Sequence, residues 1–446
     1  MSPGTAIDVR ALLDERPISR YQQWVIALCF LAVVADGFDV VIMGLVAPAL
    51  RESWGWSNDQ LAPVFSAALV GLALGSLGAG PLADRFGRRR LLYGGLLIFG
   101  GFTLLAPTAG SIGSFMAYRF VAGLAMGCIM PITVTMATEY APARSRGMIV
   151  SLVFGGFTVG SASSGFVAAW LMPTLGWQSV FVVGGLVPIV LGLLAMASLP
   201  ESLTFLVHRG GQGTQVRRIV ERCAPGSTRP DSLFSVALPP QAQTDRGPIP
   251  LLLSPHYRTG TLLLWTIYVL HLFLAFLLAS WLPTLIRDSG LNLQQASLIT
   301  GVFFLGGPVG AVLVGWLMDR HPPDLTVALS YVLTAAALVL LAQVAGHQGA
   351  MLVVAFALGV SLNGGGGLNA LASSFFPLPA RATGNSWMHA LGRLGAIAST
   401  FAGAWMLNAR WSFGQVAAAV AASALLISVL LLFKRWHARR HAGVDA

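Results

Sequence analysis

Two aspartates three residues apart, Asp36 and Asp39, lie in the otherwise apolar stretch LAVVADGFDVVIMGLVAPAL (31–50). A charged side chain at a bilayer centre costs about 2.5–3.5 kcal/mol on insertion scales, so this placement needs a use. Of 17 acids only these two lie deep inside apolar runs, and of 27 basic residues only Arg119 and Arg393 do. Two negatives thus match two positives. His271 and His389 are further titratable groups in apolar runs, and Glu139 lies near the end of one. Four unpaired charges would together cost about 10 kcal/mol or more on the same scale. They must face one another or a wet cavity.

The spacing says what such groups can do. Residues three and four apart share a helix face, so Asp36 and Asp39 point the same way. Asn385, His389 and Arg393 form one polar stripe, and Arg119, Gly123 and Gly127 share a face open to close helix approach. Arginine suits a carboxylate because its planar fork holds two oxygens and stays charged. A buried carboxylate suits proton exchange because its environment sets its protonation. The expected chemistry is an exchange in which Asp36 or Asp39, ionised, is compensated by a buried arginine. Protonation then frees the cation for an incoming carboxylate. Arg119, Arg393, His389, Asn385 and His271 are the anion-binding candidates, with Asn363 and Asn369 flanking the glycines of SLNGGGGLNAL (361–371). Those glycines fit either close helix packing or an unwound polar cavity wall. Trp281, Phe304 and Trp387 are candidate stacking rings. The competing readings are a structural ion pair for the aspartates and arginines, and a hydrogen-bonded core role for the histidines.

These residues must be positioned by membrane helices. The chain is 55% hydrophobic and 10% charged, against about 25% charged in soluble domains. Its net charge of +10 does not imply nucleic acid, because the arginines cluster in short loops between apolar runs. Runs of about 20 apolar residues each fit one crossing. They lie near 22–49, 60–83, 90–108, 112–137, 147–172 and 177–199, then near 259–286, 295–318, 325–345, 349–376, 382–407 and 412–434. The expected architecture is an all-α membrane protein with twelve transmembrane helices in two six-helix repeats. Its parts are an N-terminal bundle (1–199), a cytoplasmic linker loop (200–257), and a C-terminal bundle with a cytoplasmic tail (258–446). Arginines gather after spans two, four, eight and ten and in the linker, while the opposite loops hold Arg51, Arg287 and Arg410. The positive-inside rule then makes both termini cytoplasmic. The N-terminus lacks a signal-peptide pattern. Cys29, Cys128 and Cys223 suggest neither a disulfide framework nor a metal site. HExxH and P-loop motifs are absent, so an enzyme is not expected.

The halves repeat. SNDQLAPVFSAALVGLALGSLGAGPLADR aligns with NLQQASLITGVFFLGGPVGAVLVGWLMDR at an offset of 235, pairing Gly71 with Gly306, Gly75 with Gly310 and Asp84 with Asp319. PARSRG (142–147) answers PARATG (379–384) at an offset of 237. By this register Asp36 maps onto His271 and Arg393 onto Gly156, so each half carries what the other lacks. Parallel repeats about an axis along the membrane normal describe a transporter architecture with a mid-membrane site.

GPLADRFGRRR (80–90) resembles the signature of the major facilitator superfamily. DGFD (36–39), RFVAGLAMG (119–127), GGGGLNALASSFFP (364–377) and RATGNSWMHALGRLGAI (381–397) more narrowly resemble its aromatic acid:proton symporters, which import benzoate-type acids into bacteria. The resemblance covers essentially all spans, although it would put a small residue where His389 stands. It implies a monomeric symporter of the bacterial inner membrane for a small aromatic carboxylate, with protons as coupling ion and no other cofactor. Asp36, Asp39 and Glu139 would serve proton coupling. Gly80, Asp84, Arg85, Gly87 and Arg88, with the degenerate copy Asp319 and Arg320, would form a cytoplasmic gate. A transporter of another small organic anion, aliphatic or sugar-derived, follows the same charge logic.

Overall fold

The computed structural model describes residues 7–209, 213–228, 232–235, 248–362 and 365–442. Among them, eleven helices are long and apolar enough to cross a bilayer. The first half holds Arg20–Trp54, Asn58–Phe86, Arg88–Leu105, Ile112–Tyr140, Arg146–Leu175 and Gln178–Ser198, here spans one to six. The second holds Arg258–Asp288, Leu293–Met318 and Pro323–Gln343, spans seven to nine, and Phe413–Ala442, span twelve. Span ten comprises Gln348–Leu362 and Gly365–Phe375; Asn363 lies outside the described residues. Span eleven, Arg381–Asn408, is a 28-residue helix that is not among the eleven, and it carries the Asn385–His389–Arg393 stripe. Each expected span overlaps one of these helices.

The spans begin where the sequence supplies caps. Ser111 and Ser114 form a reciprocal capping box at span four, and Asn292 and Gln295 another at span eight, each satisfying amide groups that a helix start leaves unpaired. Span one is 35 residues long. At about 1.5 Å per residue it exceeds a hydrocarbon core of about 30 Å, so its last turn carries Arg51 and Glu52 beyond the apolar run. Pro131, Pro283 and Pro308 sit inside spans four, seven and eight without ending them.

The segment 200–257 is more than a loop. It contains helices Leu203–Arg209, Gly213–Cys223 and Pro248–Leu252. In the second of these, Val216, Ile219, Val220 and Cys223 are buried, the spacing of one helix face. Burial pushes the Cys223 thiol up to about 12. In the last turn of that helix, Glu221 accepts from the Gly226 amide (2.5 Å) and the Thr228 hydroxyl (2.8 Å). The amide first and the hydroxyl second hold its carboxyl below the usual range. Two-residue strands, Ile7–Asp8 and Phe234–Ser235, pair in parallel and are the small exception to a helical structure among the described residues.

By contacts the chain divides into two compact units. One comprises Met1–Asp39, Val70–Gly160 and Phe181–Gln241, the other Val40–Leu69, Ser161–Val180 and Ala242–Ala446. In the first unit, Gly71 of span two packs on the backbone of Phe120, Gly123 and Leu124 of span four. In the second, Gly306 of span eight packs on Phe356, Gly359 and Val360 of span ten. Gly71 and Gly306 are repeat mates, and the three partners are offset by 236 throughout. The duplication visible in the chain is therefore a duplicated helix crossing. Small residues provide it because a crossing without side chains brings backbones into direct contact.

Candidate functional site

In the first unit, Arg119 of span four meets Asp39 of span one edge to edge. Nη1 donates to Oδ1 at 2.9 Å and Nη2 to Oδ2 at 2.6 Å. The Asp39 side chain is 0% exposed and that of Arg119 2%. Thr103 of span three adds a hydroxyl bond to Asp39 Oδ1 at 3.2 Å, and the Phe181 ring lies 6.0 Å from the guanidinium. Asp36 is buried one turn earlier on span one. Desolvating a guanidinium and a carboxylate costs several kcal/mol each, and a bidentate pair with additional hydrogen bonds is the geometry that offsets it. Two acids with one guanidinium leave one formal negative charge, which a single proton cancels.

In the second unit, spans seven, nine, ten and eleven carry a polar cluster of tyrosines, histidines, asparagines and one arginine. Tyr268 shares a hydrogen bond with His389 Nδ1 at 2.9 Å, and Tyr331 shares one with His271 Nδ1 at 2.8 Å. Tyr268 and His271 stand three apart on span seven with ring centroids 5.7 Å apart. Arg393 and Asn369 are close enough to act on the Tyr268 hydroxyl. Arg393 is half-buried, and His389 and Asn369 are exposed. Asn385 donates to Ser373 Oγ at 3.2 Å, while its Oδ1 is buried without a hydrogen-bond partner among the described residues. Spans seven, nine, ten and eleven thus bring His271, His389, Arg393 and Asn369 into one cluster, with Asn385 one turn along.

Sequence reasoning missed Tyr268 and Tyr331, which tie the two histidines. A signal existed: they are two of only seven tyrosines, and a tyrosine inside a membrane span needs a partner for its hydroxyl. The proposed stacking rings separate. Trp281 is fully buried, donates to the Thr400 carbonyl at 3.2 Å and meets Phe65 edge-on, so it is core. Phe304 lies half-buried against Phe303. Trp387 is 43% exposed and stacks on Trp265 with centroids 6.1 Å apart.

The loop between spans two and three is organised by acids from elsewhere in its unit. Arg88 pairs with Glu139 at 2.5 Å, and Ser202 bonds both residues. Glu201 Oε1 accepts the amides of Arg88 (2.8 Å) and Arg89 (3.0 Å), the favourable place for a carboxylate at a helix start. Gly87 turns the chain there with φ 91°, and an added Cβ would strike the Glu201 carboxylate. The resemblance groups Arg88 with Asp84, whereas Arg88 is bound to Glu139. Asp84, Arg85 and Gly80 are exposed, and Asp84 makes no ion pair among the described residues. Arg85 lies against Phe86, and Arg320 over Trp316 at 3.8 Å; Asp319 is exposed. Glu201 and Ser202 were not anticipated, because they follow span six and only folding brings them to span three.

At the other end of span one lies a second charge cluster, in the second unit. Arg51 pairs with Asp288 at 3.4 Å, and Arg287 with Glu52 at 3.0 Å. Asn408 donates to Asp59 at 2.5 Å and accepts from Asn58 at 3.1 Å. Arg51-Glu52 and Arg287-Asp288 are repeat mates at an offset of 236, so the duplicated dipeptides bind reciprocally. They border a cavity of about 520 Å³.

The family model of the Major Facilitator Superfamily matches residues 28–255 and 264–444. The chain is 40% identical over 435 residues to the 4-hydroxybenzoate transporter PcaK of Pseudomonas putida, covering 97% of each chain. It is also 40% identical to a gallate transporter of Pseudomonas putida, over 90% of this chain and 89% of that one. Identity to a benzoate transport protein of Acinetobacter baylyi is 28%, over 90% and 87%. A crystal structure of a D-xylose-proton symporter superposes with a TM-score of 0.72 at 16% identity, covering 92% of this chain and 97% of the other, a likeness of fold. With twelve helices in repeated halves and matches running nearly end to end, the chain belongs to the Major Facilitator Superfamily and, within it, to the aromatic acid transporters.

Proposed function

We propose that this protein is a proton-coupled symporter that imports an aromatic carboxylate across the bacterial inner membrane by alternating access, with both termini cytoplasmic. The observation that carries the reading is the near full-length 40% identity to transporters of 4-hydroxybenzoate and gallate. The site supplies a physical basis. Arg393, half-buried on the span that carries His389, takes the substrate carboxylate in bidentate fashion. Asp39, Arg119 and Asp36 form the proton-responsive set: adding one proton to two acids and one cation gives a neutral cluster able to re-orient. Glu139, bonded to Arg88, acts at the cytoplasmic end, where Gly80, Asp84, Arg85, Gly87, Asp319 and Arg320 complete a gate. The transporter works as a monomer without cofactor or nucleic acid. A monoanion moving with one proton carries no net charge, and each further proton gains about 2.3 kcal/mol per 100 mV of membrane potential.

The deciding experiment uses purified protein in liposomes with an imposed pH gradient, alkaline inside, and labelled 4-hydroxybenzoate. Uptake should rise several-fold above the zero-gradient level and collapse with a protonophore. Uptake indifferent to the gradient would refute coupling, and no uptake of any ring acid would refute the substrate class.

A further inference from the structure

The ends of spans one and seven border a cavity in the second unit that the charge exchange described above does not use. With both termini cytoplasmic, these ends are periplasmic. Inward of the cavity the helices are packed backbone to backbone. Gly44 of span one lies against Ala279 and Ser280 of span seven, and Gly165 of span five against Gly301 and Ser297 of span eight. Arg51 and Arg287 stand seven residues beyond Gly44 and Ser280, two turns outward. The cavity there measures about 520 Å³, and its lining includes Arg51, Glu52, Trp56, Asn58, Arg287 and Asp288. That volume is ample for a small molecule.

The ion pairs of this cavity are loose. Each arginine meets its acid through a single hydrogen bond, Arg51 to Asp288 at 3.4 Å and Arg287 to Glu52 at 3.0 Å. Arg119 and Asp39, by contrast, share two. Arg287 also donates to the Leu291 carbonyl at 3.3 Å, and its Nε has no hydrogen-bond partner among the described residues. All four charged side chains are a third or more exposed, so neither pair holds firmly. Asp59, close by, is engaged by Asn408 at 2.5 Å. Trp56 supplies an aromatic wall, packed on Trp54 with ring centroids 4.8 Å apart. Two guanidinium groups with open fork edges beside an indole fit a small aromatic carboxylate.

We infer that this cavity is an entry site for the cargo, and that filling it triggers outward opening. The incoming carboxylate replaces Glu52 on Arg287, or Asp288 on Arg51, and so weakens the link between spans one and seven. The inference rests on the aromatic carboxylate transport and the topology proposed above. The displaced acid, already exposed, passes to water while the arginine stays paired with an anion. Cargo therefore lowers the cost of parting the two spans. A ligand shifts an equilibrium by its difference in affinity for the two states, and here it gains the full arginine fork only where the acid has left.

The test measures initial uptake of labelled 4-hydroxybenzoate by liposomes holding the full chain, with KM and kcat determined separately. A latch and nothing more responds alike to loss of either partner, because Arg287→Gln and Glu52→Gln break the same pair, as do Arg51→Gln and Asp288→Asn. An entry site responds in opposite directions. Arg287→Gln and Arg51→Gln should each raise KM at least fivefold. Glu52→Gln and Asp288→Asn free an arginine for cargo and should leave KM unchanged or lower it. Arg287→Lys keeps the charge without the fork and should still raise KM at least threefold. An unchanged KM in that variant, or equal KM shifts for the two partners of a pair, would overturn the proposal. Should the arginine variants fail to fold, equilibrium binding of the labelled acid to purified wild type decides: two molecules per chain support the proposal, and one overturns it. Absence of any aromatic acid uptake by wild type would instead sink the underlying function, so the two failures are distinguishable.

Discussion

At the scale of the residue, the Arg119–Asp39 pair governs. Both side chains are essentially inaccessible, so replacing one partner leaves a buried charge uncompensated, a change that costs about 3–5 kcal/mol. Asp39→Asn should abolish gradient-driven uptake and lower the thermal midpoint in detergent. The double variant Asp39→Asn with Arg119→Gln removes both charges and should recover most of the lost midpoint without recovering uptake. A fluorescence-detected melting series with parallel uptake assays checks this; recovered uptake in the double variant would show the pair to be structural only. The sequence made both charges visible by type and depth. It left open which arginine each acid meets, since Arg119 and Asp39 are 80 positions apart.

At the scale of the element, helix ends are joined by charge. The reciprocal bonds Arg51–Asp288 and Arg287–Glu52 link spans one and seven through repeat-related dipeptides. All four side chains are at least a third exposed, so each pair contributes no more than about 0.2–1 kcal/mol. Like charges placed opposite each other repel, however. Glu52→Arg, facing Arg287, should reduce the transport rate several-fold, and adding Arg287→Glu should restore most of it. Rate measurements on the two singles and the double give the coupling; strict additivity would show the residues do not interact in the working protein. The helix Gly213–Cys223 teaches the opposite lesson about legibility. Its apolar stripe was present in an arginine-rich stretch that reads as a loop, because a short stripe signals a helix only when there is a surface to cover.

At the scale of the whole molecule, duplication has fixed the crossings and left the chemistry free to diverge. Gly71 and Gly306 meet equivalent backbone in their own units, and an added Cβ at either would fall on a carbonyl oxygen, of Phe120 and Phe356 respectively. Overpacking costs about 1–3 kcal/mol where side chains can shift, and backbone shifts less readily. Gly71→Val and Gly306→Val should therefore lower the thermal midpoint by similar amounts, whereas Gly315→Val, with nothing within 4 Å of its added Cβ, should not. Unequal losses at the first two would show the crossings are not equivalent. On this shared frame Asp36 stands where the second half has His271, and Arg393 where the first half has Gly156. Within the spans, one unit holds Asp36 with the Asp39–Arg119 pair, and the other a tyrosine–histidine hydrogen-bonding set with Arg393.

The chain alone determined the twelve crossings, the repeat and the short roster of buried charges. Each membrane helix satisfies its own backbone, so a span is decided by its own twenty or so residues. Tertiary structure decided the partnerships: Asp39 with Arg119, Arg88 with Glu139 rather than Asp84, and the histidines with Tyr268 and Tyr331. A pairing depends on the height and rotation of two helices far apart in sequence. Close backbone contacts set those quantities, and a linear pattern does not carry them.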